Sequence, residues 1–123
     1  MNLVVDADRV LADLKELHER HGGPDGARRL AWSEDWLSAR EWFRGKLDEI
    51  DGISVDRDEA GNVWVELPGA NDDGGFVIVG SHLDAVPSGG WLDGCLGVMA
   101  ALGVLRALAQ SGERLPRRPS RRA

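Results

Sequence analysis

A chain of 123 residues, 42% hydrophobic and 29% charged, is sized and composed for one small folded domain, and it has no apolar run long enough to cross a bilayer. Its single cysteine, Cys95, excludes an internal disulfide framework or a multi-cysteine zinc knuckle, and a start without a basic, apolar leader points to the cytoplasm. The net charge of −6 is unevenly spread: of fifteen basic residues five lie in 113–123, leaving ten against twenty acidic ones, or −10, over residues 1–112. Such a body repels phosphate backbones, so neither nucleic acid nor membrane is an expected partner.

The first predicted helix runs from about Asp6 to His21, with Val10, Leu11, Leu14, Leu17 and His18 recurring on one face. Gly22-Gly23-Pro24-Asp25-Gly26 ends it. A second helix starts near Ser33, an N-cap followed by Glu34 and Asp35, and buries Trp36, Phe43, Leu47 and Ile50 before Asp51-Gly52. Ile53–Val55 and Asn62–Leu67 read as two short strands about a turn at Ala60-Gly61-Asn62. Phe76-Val77-Ile78-Val79, apolar throughout and bounded by glycines, suits a strand buried on both faces. After a turn-rich loop, Leu96–Leu108 is apolar almost all round, like a helix packed under a sheet. The order predicts an α/β fold with polar groups beyond the carboxyl end of a strand, where open α/β sheets bind ligands.

His82, Asp84 and Asp93 are the candidate chemistry. A histidine leaving a buried strand can offer one ring nitrogen to a metal while a carboxylate holds the other, and Asp84, two residues on, shares its side of an extended chain. Asp93, at a helix start, is placed to ligate or bridge cations, and zinc accepts mixed histidine and carboxylate donors. Each residue alone also has a plainer reading. His-x-Asp is a common pair, Asp93 equally suits a helix N-cap, His18 and His21 suit packing, and Cys95 suits a small buried position. The five tryptophans fit core packing, with Trp91 also placed to line a pocket.

The block GSHLDAVPSGGWLDGCLGV, residues 80–98, resembles the metal-binding block of the hydantoinase/carbamoylase family of zinc exopeptidase-like metallohydrolases. That family includes N-carbamoyl-L-amino-acid hydrolases, beta-ureidopropionases and allantoate amidohydrolases. PDGARRLAWS and DEAGNVW upstream also resemble its N-terminal region. Within the block Ala85 stands where threonine is usual, and Cys95 where alanine or another small residue is common. The resemblance implies the N-terminal part of a three-layer α/β/α catalytic domain over residues 1–112, truncated, with His82 and Asp93 as metal ligands and Asp84 orienting His82. It implies two divalent cations, zinc foremost with manganese, cobalt and nickel as alternatives, a small ureido or amide substrate, and a homodimer for the longer family members.

No residue here matches the family's general base, and none is identified as substrate-binding. Family members are three to four times longer, and their base and further ligands follow the helix that ends near residue 110. Residues 113–123 read as an Arg/Pro-rich tail and no domain, the end of a truncated or frame-shifted member. The expectation is an incomplete chain, inactive alone, with weak or no metal retention. An aminoacylase or dipeptidase of the same larger group is the alternative activity; a non-catalytic fragment and a basic-tailed binding module are the alternatives outside catalysis.

Overall fold

The computed structural model describes residues 2–71 and 75–116. Seven elements follow one another: α1 (Ala7–His21), β1 (Gly22–Gly23), β2 (Gly26–Ala27), α2 (Glu34–Asp48), β3 (Ser54–Arg57), β4 (Val63–Glu66) and α3 (Cys95–Ser111). The helix starts obey their capping signals: the Asp6 carboxylate accepts from the Arg9 N–H, and the Ser33 hydroxyl from the Trp36 N–H. α3 has no capping side chain; Gly94 occupies its N-cap and Gly112, left-handed, closes its other end.

The core is a three-helix cluster. Leu14 and Leu17 from α1, Ala39 and Leu47 from α2, and Val98, Met99 and Leu102 from α3 are buried together. Gly103 lets α1 and α3 approach: a Cβ there would lie 2.7 Å from the Val10 side chain. The antiparallel hairpin β3–β4 pairs Val55 with Val65 and Asp56 with Trp64, and its two valines pack against the cluster.

Two expectations about burial fail. Leu11 is exposed, because the buried stripe of α1 runs through Val10, Leu14, Leu17 and His21, and Leu11 lies one residue, about 100°, off it. Of the tryptophans only Trp36 is buried, while Trp32 and Trp64 lie largely exposed. Trp32 packs at a tilt of 57° against Trp36 with ring centroids 4.8 Å apart, and the indole N–H of Trp64 donates to Asp58, so both trade core burial for surface contacts.

The sheet is also smaller than expected. Residues 76–79 form no ladder among the described residues, and all four side chains are more than half exposed. The strand composition is there, whereas the neighbours that would pair and cover it are not among the described residues. In exchange, the glycine-rich turn after α1 forms the two-residue ladder β1–β2, pairing Gly22 with Ala27 and Gly23 with Gly26. At the far end the Leu115 carbonyl accepts from the Ala70 N–H. Arg117, Arg118, Arg121 and Arg122 of the basic tail lie outside the described residues. Among the described residues no helix is long and apolar enough to cross a membrane.

Ion pairs tie the helices together. Buried Asp13 on α1 binds Arg106 on α3 and lies 3.2 Å from Lys46 on α2. Glu16 accepts from Lys46 at 2.8 Å, Trp42 at 2.9 Å and Arg20 at 3.1 Å. The hydrogen bonds from Lys46 and Trp42 hold its carboxyl at about 2, against the usual 4.5. A carboxyl depressed on folding stabilises fully above its unfolded value, and that contribution drains away as pH falls from about 4.5 towards 2. The thermal midpoint of the chain is therefore expected to fall across that window, and Glu16→Gln to flatten the fall. Parallel pH profiles for the two proteins would contradict this.

Candidate metal centre

Residues 80–82 pass over the first turn of α3, and two missing side chains make that approach possible. Gly94 has φ 70°, and a Cβ there would fall on the ring and carbonyl of His82. A Cβ on Gly97 would lie 2.6 Å from the Ser81 Cβ. Glycine at both positions lets the Ser81–His82 backbone lie directly on the helix N-terminus.

The other side of this loop rests on residues 26–29. The Ala27 N–H donates to the Gly89 carbonyl, the Ala85 N–H to the Arg29 carbonyl, and the Arg29 Nε–H to the Leu83 carbonyl, each at 2.9 Å. Gly26 (φ 119°) is needed here too, since a Cβ would meet the Gly89 carbonyl at 2.5 Å. Ala85 is buried and Leu83 packs on the core, so the loop is anchored from beneath. Two tight turns, Gly89 N–H to Val86 carbonyl and Asp93 N–H to Gly90 carbonyl, then bring the chain round to Asp93.

This scaffold brings His82, Asp84 and Asp93 together. His82 Nδ1 lies 2.9 Å from the Asp84 carbonyl oxygen and 3.4 Å from its carboxylate. A carbonyl only accepts, so Nδ1 carries the proton and a neutral ring keeps its lone pair on Nε2. Nε2 faces Asp93 Oδ2 across 3.7 Å, too far for a hydrogen bond. A proton on Nε2 or a shared cation would satisfy the two acceptors. Donors at ~2.0–2.2 Å from one tetrahedral cation stand about 3.3–3.6 Å apart, so the 3.7 Å found here is slightly wider than one shared cation sets. The pair offers two donors of the kinds that ligate metals, and all three side chains are solvent-accessible. Among the described residues no group of three or more histidine, cysteine, aspartate or glutamate side chains converges as a metal cage.

The plainer readings resolve individually. Gly94 and not Asp93 takes the N-cap of α3, so the Asp93 carboxylate is free of that task. Cys95 is fully buried, its thiol donating to the Trp91 carbonyl at 3.0 Å, and burial pushes its pKa up, which disfavours a nucleophile. His21 closes α1, buried, its pKa lowered by that burial. His18 packs its ring 5.6 Å from Trp91, and the two border a shallow cleft with Lys15 and Glu19. Arg29, Gly26 and Gly97 were not singled out from the sequence. Gly26 and Arg29 lie inside the PDGARRLAWS block, but only the contacts with residues 83–89 reveal what they do.

Comparison with known proteins bears on this geometry. The model for Peptidase family M28 matches residues 62–119. Over 110 residues the chain is 34% identical to an N-carbamoyl-L-amino acid amidohydrolase of Geobacillus stearothermophilus, covering 89% of this chain and 27% of that protein. It is 33% identical over 109 residues to a ureidoglycolate hydrolase of Oryza sativa subsp. japonica, covering 88% and 22%. Among solved structures, an amidase of the hydantoinase/carbamoylase family from Burkholderia multivorans superposes with a TM-score of 0.84 at 33% identity, covering 91% of this chain and 27% of that one. The chain thus spans about a quarter of the length of the proteins it matches.

Proposed function

This chain belongs to the hydantoinase/carbamoylase family, of which it carries an N-terminal portion, and from that membership we propose that it is part of a metal-dependent amidohydrolase acting on linear ureido or amide C–N bonds. The observation that supports this best is the facing pair of His82 Nε2 and Asp93 Oδ2, 3.7 Å apart, with the opposite ring nitrogen held by Asp84. His82 and Asp93 would hold divalent cations, zinc foremost, with manganese, cobalt or nickel as alternatives. Bound cations supply Lewis acidity and a water acidic enough to attack a carbonyl carbon near neutral pH.

The contribution of this chain's own residues is positional. Asp84 fixes the ring orientation and tautomer of His82, Asp93 presents its carboxylate opposite, and Gly94 and Gly97 keep the histidine on the helix end. Substrates of the N-carbamoyl-L-amino-acid and allantoate type fit the family reading, with residues 1–112 as the catalytic-domain part and the cytoplasm as the setting. The proposed chemistry also needs a general base, and no residue of this chain is assigned that role.

The test is ammonia release from N-carbamoyl-L-amino acids and allantoate with added zinc or manganese. The 123-residue chain alone is expected to be silent, for want of the base and of further ligands. Residues 1–112 substituted for the matching segment of the Geobacillus relative should give turnover that His82→Ala abolishes. Turnover that survives His82→Ala would refute the assignment. A chimera that cleaves only N-acyl amino acids or dipeptides would favour the aminoacylase or dipeptidase alternative.

A further inference from the structure

We infer that Arg29 is a positioning residue for His82, clamping the backbone of residues 83–85 so that the ring is held with Nε2 turned to Asp93; this rests on the metal reading of His82 and Asp93. Arg29 is completely buried beneath the loop. Its Nε–H donates to the Leu83 carbonyl, and its own carbonyl accepts from the Ala85 N–H, both at 2.9 Å. These two bonds flank Asp84 on either side. The peptide between them carries the Asp84 carbonyl, which takes the Nδ1 proton of His82 at 2.9 Å. A carbonyl fixed at both neighbours selects one tautomer of the imidazole, and that tautomer leaves Nε2 available.

The choice of arginine supports the inference. Nη1 and Nη2 are buried and find no hydrogen-bond acceptor among the described residues. An enclosed cation without a carboxylate partner is costly, and a methionine or leucine would fill the same space at lower cost. What the guanidinium adds is a donor at a fixed angle under Leu83. Its charge also reaches the Cys95 thiol in the first turn of α3, so one side chain borders both the loop bearing His82 and the helix that follows Asp93. The two segments lie 54 residues apart in sequence, and Arg29 is where they are joined.

The experiment uses the 123-residue chain labelled with nitrogen-15. Long-range proton–nitrogen spectra at pH 8 report the His82 tautomer, identified by its loss in His82→Ala, and zinc chloride alone is titrated while the same ring signals are followed. The unmodified chain should show Nδ1–H. Arg29→Met should shift the balance towards Nε2–H and weaken zinc at least about tenfold, the range typical of groups that orient a ligand. Arg29→Lys, which keeps the charge but not the planar donor, should fall between. Circular dichroism melts of each variant separate loss of fold from loss of positioning. If Arg29→Met fails to fold, Arg29→Lys decides by the same two readouts. Unmodified tautomer and zinc affinity in the folded variants would overturn the inference. If zinc leaves the His82 ring signals of the unmodified chain unmoved, the metal reading falls instead, and the tautomer readout still decides the role of Arg29.

Discussion

Asp13→Ala is expected to destabilise the chain by about 3–5 kcal/mol, the range for removing one partner of a buried ion pair. Asp13 and Arg106 are both nearly inaccessible, at 4% and 5% exposure, and Asp13 is the bonded acceptor of the Arg106 guanidinium. The Nε and Nη2 atoms of Arg106 already lack a hydrogen-bond partner among the described residues, so losing the Asp13 carboxylate leaves the charge only the looser ion pair with Glu49, 3.9 Å from Nη2. Lys46, 3.2 Å from Asp13, loses an acceptor at the same time. For a domain of this size the thermal midpoint should drop by at least about 12 °C. Asp13→Leu with Arg106→Leu should recover most of that loss, because an apolar pair leaves no buried charge. A single variant that melts with the parent would show that the pair is not structural.

Gly94→Ala should have the largest effect at the site. The residue sits at φ 70°, ψ −54°, so any L side chain there costs on the order of 1–3 kcal/mol of backbone strain. The added Cβ also collides with the His82 ring and carbonyl, and relief requires the histidine to leave the helix end. Zinc-dependent shifts of the His82 ring are expected to weaken more than tenfold. Gly112→Ala is the control for a positive φ alone: it sits in the milder left-handed region (φ 69°, ψ −2°), and nothing lies within 4 Å of its added Cβ. It should carry the backbone strain and keep the zinc response. Equal loss in both variants would show that strain, and not the His82 contact, makes the glycine necessary.

Local chemistry was the readable part of this chain. Asp6 and Ser33 announce their helices because a capping side chain bonds its own next turn, and the β3–β4 hairpin announces itself through alternation about Gly61. His82, Asp84 and Asp93 stand out as a set through the spacing of a recognisable block, and the structure places each carboxylate within 4 Å of the His82 ring. Features that depend on distant partners were not legible. Arg29 looks like one more surface arginine until Leu83 and Ala85 arrive above it. Asp13 sits on the face of α1 that otherwise signals an apolar stripe, and only Lys46 and Arg106, far along the chain, account for it. Phe76–Val79 has the composition of a central strand, but burial belongs to the neighbours a strand acquires and not to its own residues.

The junction between residues 26–29 and 83–89 has a thermodynamic consequence. Joining Arg29 to Leu83 closes a 54-residue loop, and chain entropy opposes that closure by about 3.5 kcal/mol beyond a constant. Against this stand a few hydrogen bonds and the burial of Leu83 and Ala85, a modest return compared with the helix cluster. Opening this loop locally therefore takes less work than unpacking the helix cluster beneath it. A cation shared by His82 and Asp93 favours the closed arrangement by mass action, so occupancy and order of the loop rise together. Affinity at this centre is in part a measure of how firmly the chain has already closed upon itself.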